Sequence, residues 1–124
     1  VYEGLVESCV DLFPTVSDLA GIRADTSSYA ASVLPDAQGR FAGKACAITE
    51  MMFRGQYKCR VSDGRQEYLR SFNWMTNELG ESLRPVGAPI TAGRPSDPAA
   101  LEPFRRLTVE RRLFQPGEDI HVYY

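Results

Sequence analysis

His121 is the only histidine in the chain, so proton transfer or metal ligation through an imidazole must use it. Asp119, His121 and Tyr123 lie two residues apart, and on a strand such side chains share a face. A carboxylate, an imidazole and a phenol side by side can hold the imidazole as a general base. One reading is therefore a small pocket enzyme of isomerase, cyclase or dehydratase type. It would use His121, Asp119 and Tyr123 as catalytic groups and Tyr57 or Tyr68 as hydrogen-bond donors. The other reading, which we favour, makes these three residues the solvent-facing side of an edge strand. Arg112 falls opposite His121 in the simplest hairpin register, and a cation there disfavours imidazolium.

Other chemistries find less support. Cys9, Cys46 and Cys59 form no CxxC and no zinc spacing. Buried reduced thiols are the simplest expectation, which points to a reducing, cytoplasmic setting; one disulfide with a spare thiol is the alternative. The serines show no nucleophile elbow. Neither GxGxxG nor GxxxxGK[ST] occurs, which removes the common nucleotide fingerprints. One histidine and three scattered cysteines make no metal cluster. No cofactor and no metal are expected.

The basic residues suggest a different use. Of 14, only Lys44 and Lys58 are lysine. A GC-rich genome is the plain cause; selection for planar, bidentate contacts at an interface is the sharper one. Arg105, Arg106, Arg111 and Arg112 cluster near the C-terminus, and Trp74 lies off the apolar face of its expected helix. Trp and Arg are enriched where proteins meet. Arginine interleaved with tyrosine could also stack single-stranded nucleic acid. The net charge of −2 argues against a dedicated nucleic-acid binder.

These residues need a scaffold. A chain of 124 residues fits one domain, 1–124. Hydrophobic content of 44% and charged content of 24% are ordinary for a soluble globular protein. No apolar run is long enough for a membrane span, and no signal-peptide pattern is present. A start at Val1 reads as a processed, trimmed or excised chain.

Tyr2, Leu5, Val6, Cys9, Val10 and Phe13 fall at helical spacing, with Pro14 as the stop. Glu3, Glu7 and Asp11 form an acidic i, i+4 stripe on another face, which a basic neighbour would relieve. Residues 26–34 suggest a short helix ended by Pro35. From 41 to 61 the pattern turns to strand. Tyr57, Cys59 and Val61 alternate with polar residues, and Arg54-Gly55 is a turn or bulge. Cys46, Ile48 and Met52 share a face only if Glu50 joins them.

Asp63-Gly64 has two readings. As a type I′ turn it returns the chain as a strand and brings Arg60 near Glu67. As a helix start it places Tyr68, Phe72, Met75 and Leu79 on one face, with Gly80 as the stop. The helix over 65–79 is preferred because its period lasts longer. Residues 81–103 hold many prolines and glycines and predict a long loop or arm, with one helical turn at Ser96-Asp97-Pro98. Residues 107–124 predict a β-hairpin around Gln115-Pro116-Gly117-Glu118.

The expected class is α+β: an antiparallel sheet, an N-terminal helix and one central helix packed on one face, and a C-terminal β-hairpin. Small cystatin-like or nuclear-transport-factor-like cones are similar in element order, an analogy of fold that carries no function. The favoured function is a non-catalytic interaction or assembly module that presents the Arg/Tyr-rich hairpin to a protein partner or a second copy.

Overall fold

Three tight connections build the sheet. Arg54 and Gly55 both take positive φ (46° and 78°), the signature of a two-residue type I′ hairpin turn. At the second connection the Asp63 carboxylate accepts from Arg65 N–H and Gln66 N–H, each at 2.8 Å. Only Gly64 has positive φ there, which sets this turn apart from type I′. At the third, the Asn73 side chain accepts from Met75 N–H and Thr76 N–H, and Asn77 takes φ 58°.

The computed structural model describes residues 4–23, 29–41, 43–88 and 97–117. Its elements are α1 (Ser8–Leu19), β1 (Ala47–Phe53), β2 (Gln56–Ser62), β3 (Gln66–Asn73), β4 (Glu78–Pro85) and α2 (Pro98–Glu110). The fold is α+β, with a four-stranded antiparallel meander in the order β1-β2-β3-β4. The chain divides into two compact units, Val1–Ala47 and Ile48–Tyr124.

In the second unit, register fixes which side chains share a face. Tyr57 pairs with Phe72, Cys59 with Arg70 and Val61 with Tyr68; Arg70 pairs in turn with Glu81. These residues form the inner face, covered by Leu101, Phe104 and Thr108 of α2 and by Leu113 and Phe114 beyond it. Tyr68 stacks on Phe104 with centroids 5.9 Å apart, and Phe114 meets Tyr57 at 5.1 Å and Phe72 at 5.9 Å. Glu50 belongs to this face, since Tyr57 Oη donates to its carboxylate at 2.9 Å. Burying these aromatic and aliphatic groups contributes about 1.5–3 kcal/mol each, the main stabilising term of the unit.

Gly55 tests the turn. An alanine there would hold a left-handed φ, and its Cβ would lie 3.0 Å from Met75 Cγ. Gly55→Ala should cost about 1 kcal/mol with an unchanged denaturant slope in urea unfolding. A neutral result would show that the hairpin does not depend on this turn.

Several expectations change. Residues 65–79 are not a helix; they are β3, a turn and the start of β4. Tyr68 and Phe72 are four apart, which suits one face of either element. The first arm of the expected C-terminal hairpin is helical as far as Glu110, because Asp97 caps and Pro98 starts a full helix there. Residues 118–124, the second arm, lie outside the described residues. The helix covering the sheet is thus α2 and not a central one. The expected loop over 81–103 shrinks, since β4 runs to Pro85 and α2 begins at Pro98. The N-terminal helix does not stop at Pro14; it runs from Ser8 to Leu19 with the proline inside. Residues 29–34 are not helical, and 24–28 lie outside the described residues.

Candidate functional site

α1 is arranged with its polar side inward. Glu7, Asp11, Pro14 and Ser17 are buried on one side. At roughly 100° per residue the opposite side carries Leu12, Phe13, Val16 and Leu19. These are 66%, 62%, 53% and 70% exposed. Gly21 (φ 67°) closes the helix: Gly21 N–H donates to Asp18 O and Ile22 N–H to Ser17 O, the Schellman pattern. Ile22, just past the end, is also exposed.

The inward side is held by charge. Lys44 Nζ lies 2.6 Å from Glu7 Oε2 and 2.7 Å from Asp11 Oδ1. The Asp11 carboxylate also accepts from the backbone N–H of Glu7 (2.8 Å) and of Ala31 (2.9 Å). Thr15 Oγ1 donates to Asp11 O and accepts from Val33 N–H, tying the following segment to the helix. Lys44 is the basic neighbour that the acidic stripe requires. The apolar stripe was not foreseen. Leu12, Val16 and Leu19 stand at i, i+4 and i+7, but taking Pro14 as the helix end hides that period.

In the second unit the ionisable side chains of the inner face are closed into internal pairs. Glu81 receives two hydrogen bonds from Arg105, at 2.8 and 2.7 Å, and one from Tyr68 Oη at 2.6 Å. The Arg105 bonds are the main reason its carboxyl titrates below the ordinary carboxylate range, with Tyr68 adding to them against burial. Burial, then Glu81, pushes the Tyr68 phenol up; burial is also the main cause for Tyr57, with Cys59 and Glu50 adding. On the outer face Glu67 is 2% exposed between Arg60 and Arg84. Burial opposes its charge, but the arginine hydrogen bonds outweigh that and lower its pKa.

Of the C-terminal arginines, Arg105 and Arg106 line one hollow on α2 with Glu102, Val109 and Glu110. Arg105 turns to Glu81. Arg106 lies on the outer side of α2, 3.6 Å from Glu102. Arg111 is the C-cap of α2, and Arg112 holds φ 55° in the turn beyond. Trp74 is half-buried in the β3–β4 connection and packs 6.4 Å from Phe114. Asp119, His121 and Tyr123 lie outside the described residues. Tyr57 and Tyr68, their suggested helpers, donate to Glu50 and Glu81.

Cys46 and Cys59 are buried, and burial pushes the Cys59 thiol up, away from reactivity. Among the described residues no group of three His, Cys, Asp or Glu side chains converges on a metal position. None of the described helices is long and apolar enough to cross a membrane. A hollow of about 510 Å³ opens on the outer sheet face, lined by Gln56, Lys58, Ser71, Asn73 and Glu78. Its polar lining is exposed apart from half-buried Asn73, so no buried polar group points into it. Comparison with protein-family models, with curated proteins and with solved structures finds no match.

Proposed function

We propose that this chain is a non-catalytic interaction or assembly module that docks on protein through the apolar side of α1. One observation carries the reading: Glu7 and Asp11 at the start of α1 are buried, while Leu12, Phe13, Val16 and Leu19 are exposed. A helix normally turns its apolar stripe to the core and its charges to water. Here the Glu7–Asp11–Lys44 cluster holds the opposite side of the helix, which supports a stripe turned away from the rest of the first unit. Leaving each such side chain in water forgoes about 1.5–3 kcal/mol, which a partner's surface would recover.

The sequence reading had the same function but placed the interface on the C-terminal arginines. The pairing of Arg105 with Glu81 and the exposure of the apolar stripe on α1 support α1 instead. The closed carboxylate pairs of the sheet support a structural rather than a catalytic role for them.

The test is a double substitution, Leu12→Glu with Leu19→Glu. In dilute protein it should leave stability within about 1 kcal/mol of the parent, as surface positions do. It should also abolish binding of a hydrophobic dye to the first unit. A loss of several kcal/mol would mean that the stripe is core, and the reading would fall.

A further inference from the structure

We infer that Arg60 and Arg84, on the outer face of the sheet, bind a small phosphate-type oxyanion, with Glu67 as the residue that positions them. The cluster is built wholly from β2, β3 and β4. It goes beyond the docking role proposed for α1 and does not depend on it.

The pairing leaves charge over. One carboxylate receives two guanidiniums: Arg60 Nη2 meets Glu67 Oε1, and Arg84 Nε and Nη2 each lie 3.0 Å from Oε2. The Glu67 side chain is 3% exposed; burial opposes its charge, but the arginine hydrogen bonds outweigh that. One cation would neutralise it, so the second is in excess. Arg60 Nε and Nη1 and Arg84 Nη1 have no partner among the described residues. A guanidinium has no acceptor of its own, so the cluster offers only donors beyond Glu67. Planar donors already held in place by a carboxylate are suited to the paired oxygens of a phosphate.

Register adds to the sign. Ser62, Glu67 and Arg84 make one row of this face, Arg60 and Ser82 flank Leu69 in the next, and Lys58 stands in a third. Three cations thus accompany one acid, in a chain whose net charge is −2. The carboxylate of Asp63, next in sequence to Ser62, is spent on its own turn. Ser62 Oγ accepts from Gly64 N–H at 3.1 Å, which leaves its proton to donate. A monocarboxylate cancels only part of this excess, whereas a phosphate group carries about −1.5 to −2 at neutral pH and matches it.

The experiment is a titration of the full, nitrogen-labelled chain with inorganic phosphate at constant ionic strength. It is read by NMR at the Arg60 and Arg84 Nε–H and at the Ser82 amide, with acetate and chloride titrated alongside. Phosphate should saturate these shifts with a dissociation constant on the order of 1 mM, acetate should bind about ten-fold more weakly, and chloride should not saturate them. Arg60→Gln leaves Arg84 to neutralise Glu67. It should weaken phosphate about ten-fold with little change in Tm. Arg106→Gln removes the same charge from the outer side of α2 and should bind phosphate as the parent does. No saturable shift in the parent would overturn the inference, and this holds even if Arg60→Gln fails to fold. Equal saturation by chloride, or equal weakening by Arg106→Gln, would reduce the effect to overall charge and also overturn it.

Discussion

Lys44→Met should cost the first unit about 3 kcal/mol near neutral pH, among the largest effects open to a single substitution here. The lysine side chain is 9% exposed, and those of Glu7 and Asp11 are 3% and 2% exposed. Methionine keeps the volume and removes the charge, leaving two carboxylates buried side by side with no cation. The pH dependence identifies the cause. Burial works against the Asp11 charge, but hydrogen bonds from Lys44, Ala31 N–H and Glu7 N–H outweigh it and hold the carboxyl below its ordinary 3.8. Burial likewise pulls Lys44 down, but its bonds to Asp11 and Glu7 carry it above its ordinary 10.5. A lowered acid stabilises the fold above its unfolded pKa, and that contribution is lost as pH falls through the folded value. A raised lysine stabilises below its unfolded pKa, and that contribution is lost as pH rises through the folded value. The deficit of the variant should therefore be greatest between about pH 4 and about pH 10, and should shrink in acid as the stranded carboxylates protonate. Urea unfolding across pH measures it, and hydrogen exchange at Ala31 N–H reports the cluster locally. A deficit that does not vary with pH would assign the loss to packing rather than to charge.

The second large effect belongs to Arg70, which is 4% exposed at the centre of β3. Its Nη1 donates to Thr108 Oγ1 and Gln115 Oε1, each at 3.2 Å, and its Nη2 to Phe114 O at 2.6 Å. One guanidinium thus joins the sheet to α2 and to the segment that delivers Phe114. Its Nε is buried with no partner, so the arrangement carries an uncompensated desolvation cost. Arg70→Ala should lose about 3 kcal/mol, through a cavity and three acceptors deprived of their donor. Arg70→Met should lose less, because it fills the space and removes the desolvated charge. Arg70→Lys should fall between them, since an ammonium on a flexible stem cannot reproduce the planar fork. Chemical denaturation ranks the three. If methionine proved as costly as alanine, the hydrogen bonds, and not the packing, would dominate.

How much of this was legible depended on where charge is buried. β2 read correctly because its inward residues Tyr57, Cys59 and Val61 are apolar and its outward residues polar. β3 did not, because Arg70 faces inward and its neighbour Leu69 outward. These two residues reverse the alternation that a strand normally writes. The turn alternative at Asp63-Gly64 did contain the right contact, Arg60 with Glu67. Both helices were misjudged at an interior proline. Pro14 and Pro103 lie inside α1 and α2, where each removes one backbone donor without ending the helix. In α2 the alternation of Leu107, Val109, Arg111 and Leu113 suggested a strand, whereas the buried series is Leu101, Phe104 and Thr108, at helical spacing. The need for a cation beside Glu7 and Asp11 could be read from like charges at i, i+4. That Lys44 meets it, from 37 residues away, could not, because only tertiary folding brings the two together.

The most direct test of the outward-facing stripe compares two residues of one type within the same chain. Hydroxyl-radical labelling in dilute protein, followed by peptide mass analysis, reads the solvent access of each phenylalanine. Phe13 is 62% exposed and Phe114 is 1% exposed. Phe13, with Leu12 and Leu19 beside it, should be labelled many times faster than Phe114. Protection of Phe13 equal to that of Phe114 in the monomer would contradict the account.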